Sequence, residues 1–445
     1  WYSTFTPASV SISSATSFGP PPLDIQVTAN VSGGGEGATY AWDWGDGDFL
    51  EMNATNGVVS HTYTNVGAYT VQMTVLRDGL TCVYALTNVA AAVGDVCYVS
   101  TNGAAIPPYD TWAKATSNIQ DAVAYKPKTV LVSNGTYRVS YDDDDYGIKL
   151  YDATRLVSVN GLSNTVIRSN YANPGTGESS RMRNLVRMTH AGASVEGFTF
   201  CQTCPPMIYA TAGRFENNLV TGTYRTSDSC NVTTFAGPVG ITNCVFDGST
   251  MSIGWVNYAG ALVGLSGGAA MDRCVVRNAT FKIGSANNTI RSAVSLSGDK
   301  TVMRNTFVVD MKVDMRAQSL QNWGVYVPDK STVENCTIVG SRINAGNGAG
   351  LCVSKDAKIR NVISYDNQLT LETPGEDRDL SGSSDVFENC LIGAGELPET
   401  AKGCIVGEDP CFADDGSGYH ITKDSPCYNK GVQVKWASKK GLATD

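Results

Sequence analysis

The sequence predicts an all-β protein in which an immunoglobulin-like β-sandwich is followed by a right-handed parallel β-helix of about ten rungs. Two observations carry this prediction. Glycine is abundant at 46 residues, and charged residues make up only 17% of the chain, which suits β-structure rich in turns. A pattern of two short apolar strands and a fixed turn also recurs through residues 188–392, as expected of stacked solenoid rungs.

The repeat is clearest in residues 324–367. An apolar strand at 324–327 is followed eight residues later by Asn335, and a second at 350–353 is followed in the same way by Asn361. Carrying this offset along the chain predicts turns at positions 197, 217, 243, 273, 305, 335, 361 and 389. Successive turns are 20 to 32 residues apart, so we expect rungs of similar size with excursions of variable length between them.

Asparagine occupies six of these eight turn positions. It tolerates the left-handed backbone conformation better than other residues that carry a side chain. Rungs of a solenoid stack about 4.8 Å apart, so the asparagine amides are expected to form a hydrogen-bonded ladder along the axis. The architecture therefore depends on these turns lying in a single column.

The rungs resemble the parallel β-helix repeat families, which include pectate lyases and many secreted surface proteins. Before the first strands, Ser117 with Gln120 forms a capping box, and Ile119, Ala122 and Val123 share one helical face. This pattern predicts an amphipathic helix near 117–125 that covers the first rung. The segment is also similar to the entry cap of secreted bacterial β-helix proteins. Early strands at 147–150 and 156–161 complete the count of about ten rungs.

The sequence also marks the C-terminal end of the β-helix. Residues 403–431 resemble the ending of the same families, in strings such as Asp409-Pro410-Cys411-Phe412. A C-terminal closure is expected near 403–445, and because no closing strand precedes Asp445 we expect it to be incomplete. The β-helix domain is therefore placed at residues 95–445. At the other end of the chain, Trp1 follows no leader, so a processed or partial chain is expected.

Residues 1–94 form the first predicted domain. Alternating segments such as 69–75 are separated by glycine-rich turns, which predicts a small sandwich. Within it, Trp42-Asp43-Trp44-Gly45-Asp46-Gly47 precedes His61-Thr62-Tyr63 and Gly67-Ala68-Tyr69-Thr70-Val71. These motifs resemble the PKD domain, with Trp44 in place of its usual phenylalanine. That resemblance implies an extracellular spacer or a module that contacts proteins or glycans without catalysis.

Acidic residues in this motif offer a candidate metal site. Asp43, Asp46 and Asp48 are close enough in sequence to bind calcium, but a turn in which Asp43 and Asp46 accept backbone N–H groups is the favoured interpretation. His61 is expected to be a structural hydrogen-bonding residue, because no second histidine or cysteine lies near it in sequence.

The densest carboxylate cluster is a second candidate calcium site, formed by Asp142, Asp143, Asp144 and Asp145. A solvated acidic loop is the competing interpretation, because the glycine-spaced pattern of a calcium loop is absent. His190 is expected to be structural. Glu376, Asp377, Arg378 and Asp379 are expected to form a charged surface loop, with a groove lining as the alternative.

The thirteen cysteines fall into two kinds. Four of them come one residue after a turn position and are expected to stack in the core as free thiols: Cys244, Cys274, Cys336 and Cys390. Among the others, Cys82 with Cys97 and Cys411 with Cys427 are candidate disulfides. Cys201 and Cys204 form a single CxxC, for which a local disulfide or a plain loop is favoured over a redox or zinc site.

Charge and hydropathy limit the classes of function that the chain can have. A net charge of −9 and a pI near 5.0 argue against binding to nucleic acid, and no apolar run reaches the roughly 18 residues of a membrane span. The predicted location is extracellular or at the cell surface. The partners expected there are a polysaccharide, a neighbouring surface protein or further copies of the chain in a filament.

Two functions remain from the sequence. The favoured one is a non-catalytic surface or matrix protein that acts as a rigid scaffold, an adhesin or a glycan-contacting module. The alternative is a lyase or glycoside hydrolase that acts on an acidic polysaccharide, but the chain lacks the Gly-His-Gly and Arg-x-Pro-x-x-Arg strings of β-helix enzymes. An enzyme should show a groove where an Arg, Lys or His meets two or more acids.

Overall fold

The structure is a computed structural model that describes residues 9–13, 17–32, 38–52, 56–77, 79–141, 146–170, 184–202, 208–226, 231–255, 260–285, 290–315, 321–344, 347–370, 376–413 and 419–432. The chain divides into two compact units, residues 1–133 and residues 134–445, which are described separately. It is 55% strand and 2% helix, which confirms the all-β prediction. The assignment of domains to 1–94 and 95–445 stays a prediction.

The first unit contains a β-sandwich. Its smaller sheet is antiparallel and consists of Ser9–Ser13, Leu23–Ser32 and Asn56–Tyr63. Its larger sheet consists, in spatial order, of Ser17–Gly19, Leu80–Ala92, Gly67–Arg77, Thr39–Asp43 and Phe49–Met52. Alternate residues of each strand face inward, so a core of large side chains forms between the sheets and includes Val27, Tyr40, Trp42, Val71 and Met73.

The remainder of the first unit holds a short helix and two strands. Val96–Val99 and Thr129–Val132 pair in parallel, and the helix Ile119–Ala124 packs on both of them. The predicted helix near 117–125 is therefore present, with its apolar face buried.

The N-terminus of this helix differs from the predicted capping box. The Asn118 side chain, rather than that of Ser117, caps the helix by accepting a hydrogen bond from the backbone N–H of Gln120 at 3.0 Å. Within the described part of the chain, no helix is long and apolar enough to cross a membrane.

The second unit is a parallel β-solenoid with three sheets. Sheet 1 contains Tyr146–Leu150, Asn184–Met188, Ile208–Ala210, Thr233–Ala236, Gly260–Ser266, Ile290–Ser297, Gln321–Val327, Asn347–Val353 and Leu380–Gly382. Sheet 2 contains Arg155–Ser158, Ser194–Glu196, Gly213–Glu216, Val239–Thr242, Ala270–Asp272, Val302–Arg304, Thr332–Glu334, Lys358–Arg360 and Val386–Glu388.

Sheet 3 is the longest because most later turns contribute two strands to it. It contains Gly135–Val139, Thr165–Ser169, Thr199–Gln202, Leu219–Thr226, Val245–Trp255, Val275–Arg277, Thr280–Ser285, Phe307–Val309, Lys312–Met315, Thr337–Val339, Arg342–Asn344, Ile363–Tyr365, Gln368–Leu369, Glu376–Asp377, Leu391–Ile392 and Ile405–Val406. Glu376–Asp377 pairs antiparallel to its neighbour.

The solenoid has about eight turns rather than the predicted ten. Two early segments that the sequence analysis assigns to separate rungs belong to one turn. Tyr146–Leu150 lies in sheet 1 and Arg155–Ser158 lies in sheet 2, so the chain passes through both within a single circuit. A period-two pattern marks each strand but does not show which sheet the strand joins.

Inward-facing side chains stack along the axis. In the first turns the stack is aromatic: the ring centroids of Phe200 and Phe215 are 5.6 Å apart, as are those of Phe215 and Phe235. Phe246 continues it at 6.4 Å from Phe235. All four rings are fully buried, so each turn places a large apolar surface against the next.

Candidate functional site

The eight predicted turn positions form one structural class, which we call the turn column. Every member adopts a left-handed backbone, with positive φ at Gly197 (83°), Asn217 (56°), Asn243 (54°), Arg273 (53°), Asn305 (48°), Asn335 (53°), Asn361 (51°) and Asn389 (51°). Each one ends a strand of sheet 2 and precedes a strand of sheet 3. The prediction that these bends share one position in every turn is confirmed.

The asparagine amides form the predicted ladder. In three places the Nδ2 of one asparagine donates to the Oδ1 of the preceding member: Asn243 to Asn217 at 3.3 Å, Asn335 to Asn305 at 3.2 Å and Asn361 to Asn335 at 2.7 Å. These three donations all run toward the N-terminus, so the ladder is a polar chain of hydrogen bonds.

Carboxylates accept the amide hydrogen bond at two places where the preceding member of the turn column is not an asparagine. The sequence analysis did not identify this feature. Gly197 and Arg273 have no amide to accept a bond. Asn217 therefore donates to Glu196 at 3.2 Å, and Asn305 donates to Asp272 at 2.8 Å. In both places the acid comes one residue before the interrupted turn position, so the signal was present in the sequence.

A second column of left-handed turns lies five residues after the first. Its members have positive φ and small or short polar side chains: Gly222, Asn278, Asp310, Gly340 and Asp366. It separates the paired strands of sheet 3 in the later turns, such as Val275–Arg277 and Thr280–Ser285. The sequence analysis missed this column, although a fixed offset of glycine, asparagine or aspartate from the first turn marks it.

Outward residues of sheet 2 form a charged column of alternating sign: Asp272, Arg304, Glu334, Arg360 and Glu388. The Arg304 Nε lies 3.6 Å from Asp272 Oδ1. Arg360 donates to Glu334 at 3.2 Å and to Glu388 at 2.9 Å. Burial alone would lower the pKa of Arg360, but its hydrogen bonds to these two acids outweigh that effect and raise the pKa.

The charged column bears on the enzyme hypothesis. Arg360 does meet two acids, which is the residue set expected of a catalytic groove. Both acids, however, lie directly above and below it in adjacent turns, and its guanidinium donates to each. The same arrangement links one turn to the next along the column, so it serves the stacking of the solenoid.

The four predicted core cysteines are buried free thiols: Cys244, Cys274, Cys336 and Cys390. Burial raises the pKa of Cys336 to about 12, which makes it inert as a nucleophile. Cys404 extends the stack by one turn and was not predicted to belong to it. A hydrogen bond from Cys390 lowers the pKa of Cys404 to about 7, and its side chain is half-buried.

The candidate disulfides are not formed in the structure. Cys82, Cys97, Cys411 and Cys427 are all free. The Cys97 thiol instead donates to the carbonyl oxygen of Pro108 at 3.2 Å. Cys201 is also free and half-buried, while the rest of its CxxC lies outside the described residues.

The acidic motif of the sandwich makes the turn that the sequence predicts. Asp43 accepts the Gly45 N–H at 2.8 Å, and Asp46 accepts the Asp48 N–H at 3.1 Å. His61 Nε2 lies 2.7 Å from the second oxygen of Asp46. The imidazole also stacks on the Trp44 ring at 4.8 Å, so a hydrogen bond and an aromatic contact hold it in place.

The structure changes the residue set of the metal alternative from Asp43, Asp46 and Asp48 to Asp46, Asp48 and His61. Ligand atoms of Asp46, Asp48 and His61 lie within 4.8 Å of one another, so the histidine that looked isolated in sequence joins the acids in space. Both oxygens of Asp46 already have protein partners. These contacts account for the cluster as a structural turn, and calcium binding stays a hypothesis.

The remaining candidates lie in different parts of the second unit. The tetrad Asp142, Asp143, Asp144 and Asp145 lies outside the described residues. His190 is exposed, and its Nδ1 accepts the Gly192 N–H at 3.0 Å. Glu376 and Asp377 are exposed, but they form a short strand that pairs with Gln368–Leu369 rather than the predicted loop.

Asp379 corrects the prediction of a charged surface loop, because it is fully buried. Its carboxylate accepts three hydrogen bonds, from the backbone and the side chain of Asn367 at 2.9 and 2.7 Å and from the Ala394 N–H at 2.8 Å. Burial raises the pKa of Asp379 to about 6 despite these bonds. The sequence analysis predicted exposure because Asp379 directly follows three other charged residues in the chain.

Residues 409–413 and 419–432, which we call the strap, contact the outer side of the later turns. The strap pairs with itself between Phe412 and Ile421. Its backbone at Val432 both donates to and accepts from the Asn361 side chain, each at 2.8 Å, and the Asn389 amide donates to the carbonyl oxygen of Lys430. The last two asparagines of the turn column thus bind backbone from the C-terminal segment.

The surface beneath the strap differs from the same positions in earlier turns. His420 of the strap contacts the Phe307 ring edge-on at 5.8 Å. Outward positions of sheet 3 change from Asp247 and Arg277 to Val309 and Val339, which are only 7% and 4% exposed. Both valines are therefore removed from water, which makes an apolar residue tolerable at these outward positions.

Comparison with known proteins identifies one part of the chain. The PKD domain family matches residues 15–88, which confirms the resemblance seen in the sandwich motifs. No curated protein matches the chain. A PKD domain and a β-helix fold are consistent with an extracellular surface or adhesion-type module. The chain therefore carries a PKD domain at residues 15–88, followed by a parallel β-solenoid of about eight turns.

Proposed function

We propose that this chain is a non-catalytic module of an extracellular surface or matrix protein, in which the solenoid is a stiff scaffold that contacts polysaccharide or a neighbouring surface protein. The observation that carries the proposal is the continuity between turns. The amide ladder, the charged column and the stacked cores each connect successive turns through side chains, in addition to the parallel backbone pairing.

Stiffness follows from the number of bonds that bending would break together. The nine strands of sheet 1 at about 4.8 Å spacing span roughly 40 Å. Opening the gap between two turns breaks backbone bonds in three sheets and the side-chain bonds of the columns. The PKD domain supports the extracellular assignment, since such domains are typical of extracellular proteins.

The alternative is a polysaccharide lyase or hydrolase, and one experiment separates the two functions. The full chain is incubated with a panel of acidic and neutral polysaccharides, with and without calcium. Retention on each polymer is measured by co-sedimentation, and cleavage is measured by unsaturated and reducing ends. We expect retention on at least one polymer without any new ends.

Arg360→Met provides the matched control, because Arg360 is the residue that meets two acids. Cleavage by the wild-type chain would contradict the scaffold proposal. If Arg360→Met then abolished that cleavage, the charged column would be the catalytic groove of the alternative function.

A further inference from the structure

A run of ladder bonds ends at Asn243, because Arg273 is the next member of the turn column. An asparagine inside the ladder donates through Nδ2 and accepts through Oδ1, as Asn335 does. Asn243 donates one Nδ2 hydrogen to Asn217 at 3.3 Å. Among the described residues, its second Nδ2 hydrogen and its Oδ1 have no partner, and Asn243 is exposed.

Asn361 also ends a run of ladder bonds, since the Asn389 amide donates to the strap instead. The strap uses both of the groups that remain at Asn361. The Nδ2 donates to the Val432 carbonyl oxygen at 2.8 Å, and the Oδ1 accepts the Val432 N–H at 2.8 Å. One residue of a peptide thus satisfies the amide through its own N–H and C=O.

An apolar stripe runs beside the turn column on the outer face of sheet 3. Leu219, Val245, Val275 and Phe307 lie in register in successive turns, each two residues after a turn position. They are partly exposed, whereas the residue after each of them is fully buried. His420 of the strap contacts Phe307, so the stripe is continuous with surface that the strap already occupies.

Charge near Asn243 favours a neutral partner over an ion. In the next turn, the Arg273 Nε lies 3.4 Å from Asp272 Oδ2, and Arg277 donates to Asp247 at 2.7 Å. Each of these cations therefore has an acid beside it. The groups left open are an amide N–H, an amide oxygen and an apolar stripe, which complement a peptide backbone with apolar side chains.

We propose that Asn243 and the apolar stripe bind a peptide segment of a neighbouring surface protein, as Asn361 binds the strap. The N–H and C=O of one residue of that segment pair with the Asn243 amide, and its apolar side chains pack on Leu219, Val245 and Val275. The inference rests on the proposed function, of which it names the contact site and the partner class, a protein rather than a polysaccharide.

Fluorescence anisotropy tests the proposal with the full chain and a labelled peptide. The peptide has the sequence of residues 419–432 with Cys427→Ser. We expect saturable binding that weakens at least about fivefold in Asn243→Gly, which tolerates the left-handed backbone but loses both amide bonds. Val275→Thr, which makes the stripe more polar at nearly constant shape, should weaken binding about threefold.

Asn278→Gly is the matched control. It makes the same substitution in another left-handed turn beside sheet 3, where the amide is already bonded to Asp247 at 2.7 Å. This variant should bind the peptide as the wild type does. Equal binding by the wild type and Asn243→Gly would overturn the assignment of the site.

Asn361→Gly distinguishes the Asn243 site from exchange of the strap. The peptide should bind this variant at least as tightly as the wild type, because Asn243 is unchanged. If binding were lost in Asn361→Gly and kept in Asn243→Gly, the peptide would be replacing the strap, and the proposal would be wrong.

A second peptide, N-methylated at its last three residues, tests backbone recognition without altering the protein. Methylation removes the N–H donors, so this peptide should bind the wild-type chain at least about fivefold more weakly than the first. The two peptides should bind Asn243→Gly alike. Equal binding of both peptides to the wild-type chain would contradict recognition through the backbone.

Two further measurements cover other occupants of the site. A neutral trisaccharide that bound the wild type but not Asn243→Gly, in the absence of peptide binding, would replace the peptide by a glycan. Self-association in sedimentation that Asn243→Gly abolished would replace the partner protein by a second copy of this chain. If the peptide does not bind, the inference fails, whereas the scaffold proposal is judged separately from retention and cleavage of polymers.

Discussion

Replacing Asn335 tests whether the turn column holds the solenoid together. The Asn335 amide donates to Asn305 at 3.2 Å and accepts from Asn361 at 2.7 Å, and its backbone is left-handed, with φ 53°. Asn335→Ala loses two hydrogen bonds at about 0.5–1.5 kcal/mol each. It also holds alanine in the left-handed region at about 1–2 kcal/mol. The free energy of opening at this turn should therefore fall by about 2–5 kcal/mol.

Asn335→Gly separates the two contributions. Glycine loses the same amide bonds without backbone strain, although it adds roughly 0.5–1 kcal/mol of chain entropy to the unfolded state. The alanine variant should therefore be less stable than the glycine variant by up to about 1.5 kcal/mol. Lys330→Ala, on an exposed side chain of the same turn, is the control and should remain within about 0.5 kcal/mol of the wild type.

Hydrogen exchange is the appropriate assay, because stacked turns can open locally rather than unfold in one step. The reporters are the backbone amides of Asn305 and Asn335, which donate to Glu334 at 3.1 Å and to Arg360 at 3.0 Å. In Asn335→Ala these amides should exchange at least about thirtyfold faster, while amides of the sandwich core keep their wild-type rates. Unchanged exchange in both variants would refute a stabilising role for the ladder, and a larger loss in the glycine variant than in the alanine variant would refute the strain argument.

Four further predictions follow from particular contacts. Burial raises the pKa of Asp379 from 3.8 to about 6, so the folded chain takes up a proton first as pH falls. Between pH 7 and pH 4 the second unit should therefore gain roughly 2.5 kcal/mol relative to Asp379→Asn, measured by urea unfolding. Gly264→Ala should cost about 1–3 kcal/mol, because the new Cβ would lie 2.0 Å from Asn231 Nδ2, and Asn231→Gly should restore part of the loss in the same unfolding assay. Arg360→Met should cost about 1–3 kcal/mol in urea unfolding, since it removes the hydrogen bonds that Arg360 donates to Glu334 and Glu388, and added salt should reduce the difference from the wild type. Millimolar calcium should leave the Tm of the sandwich unchanged in differential scanning calorimetry, because both Asp46 oxygens already have partners.

Each of these predictions has a contrary outcome. A parallel pH dependence in the wild type and Asp379→Asn would mean that the buried carboxylate does not titrate in this range. If Asn231→Gly restored no stability to Gly264→Ala, the loss would not come from the close approach of the new Cβ to Asn231. A salt-independent loss in Arg360→Met would assign that residue to packing rather than to charge pairing. A calcium-dependent rise in Tm would make the cluster at Asp46 a metal site.

Several features were accessible from local sequence. The eight-residue offset located the turn column because a left-handed bend restricts which residues fit there, and asparagine repeats at that position in successive rungs. The core cysteines were placed by the alternation of residues after the bend. The PKD motifs identified the sandwich, since tryptophan, aspartate and glycine occur at fixed spacing in it.

Other features depended on contacts that no local pattern records. The count of turns was wrong because two strands with the same alternation belong to different sheets of one circuit. His61 appeared isolated in sequence, yet the sandwich brings it to 2.7 Å from Asp46. Cys404 joins the thiol stack only because its short strand pairs with the preceding turn.

By itself the sequence determined the local conformations of this protein: where the chain bends, which side chains of each strand face inward, and which stretch folds as a sandwich. The tertiary structure decided the burial of Asp379, the contact of the strap with Asn361 and the position of His61 beside Asp46. The physical reason is that bends and strand alternation depend on residues a few positions apart. Burial and electrostatic environment depend on surfaces supplied by segments distant in sequence.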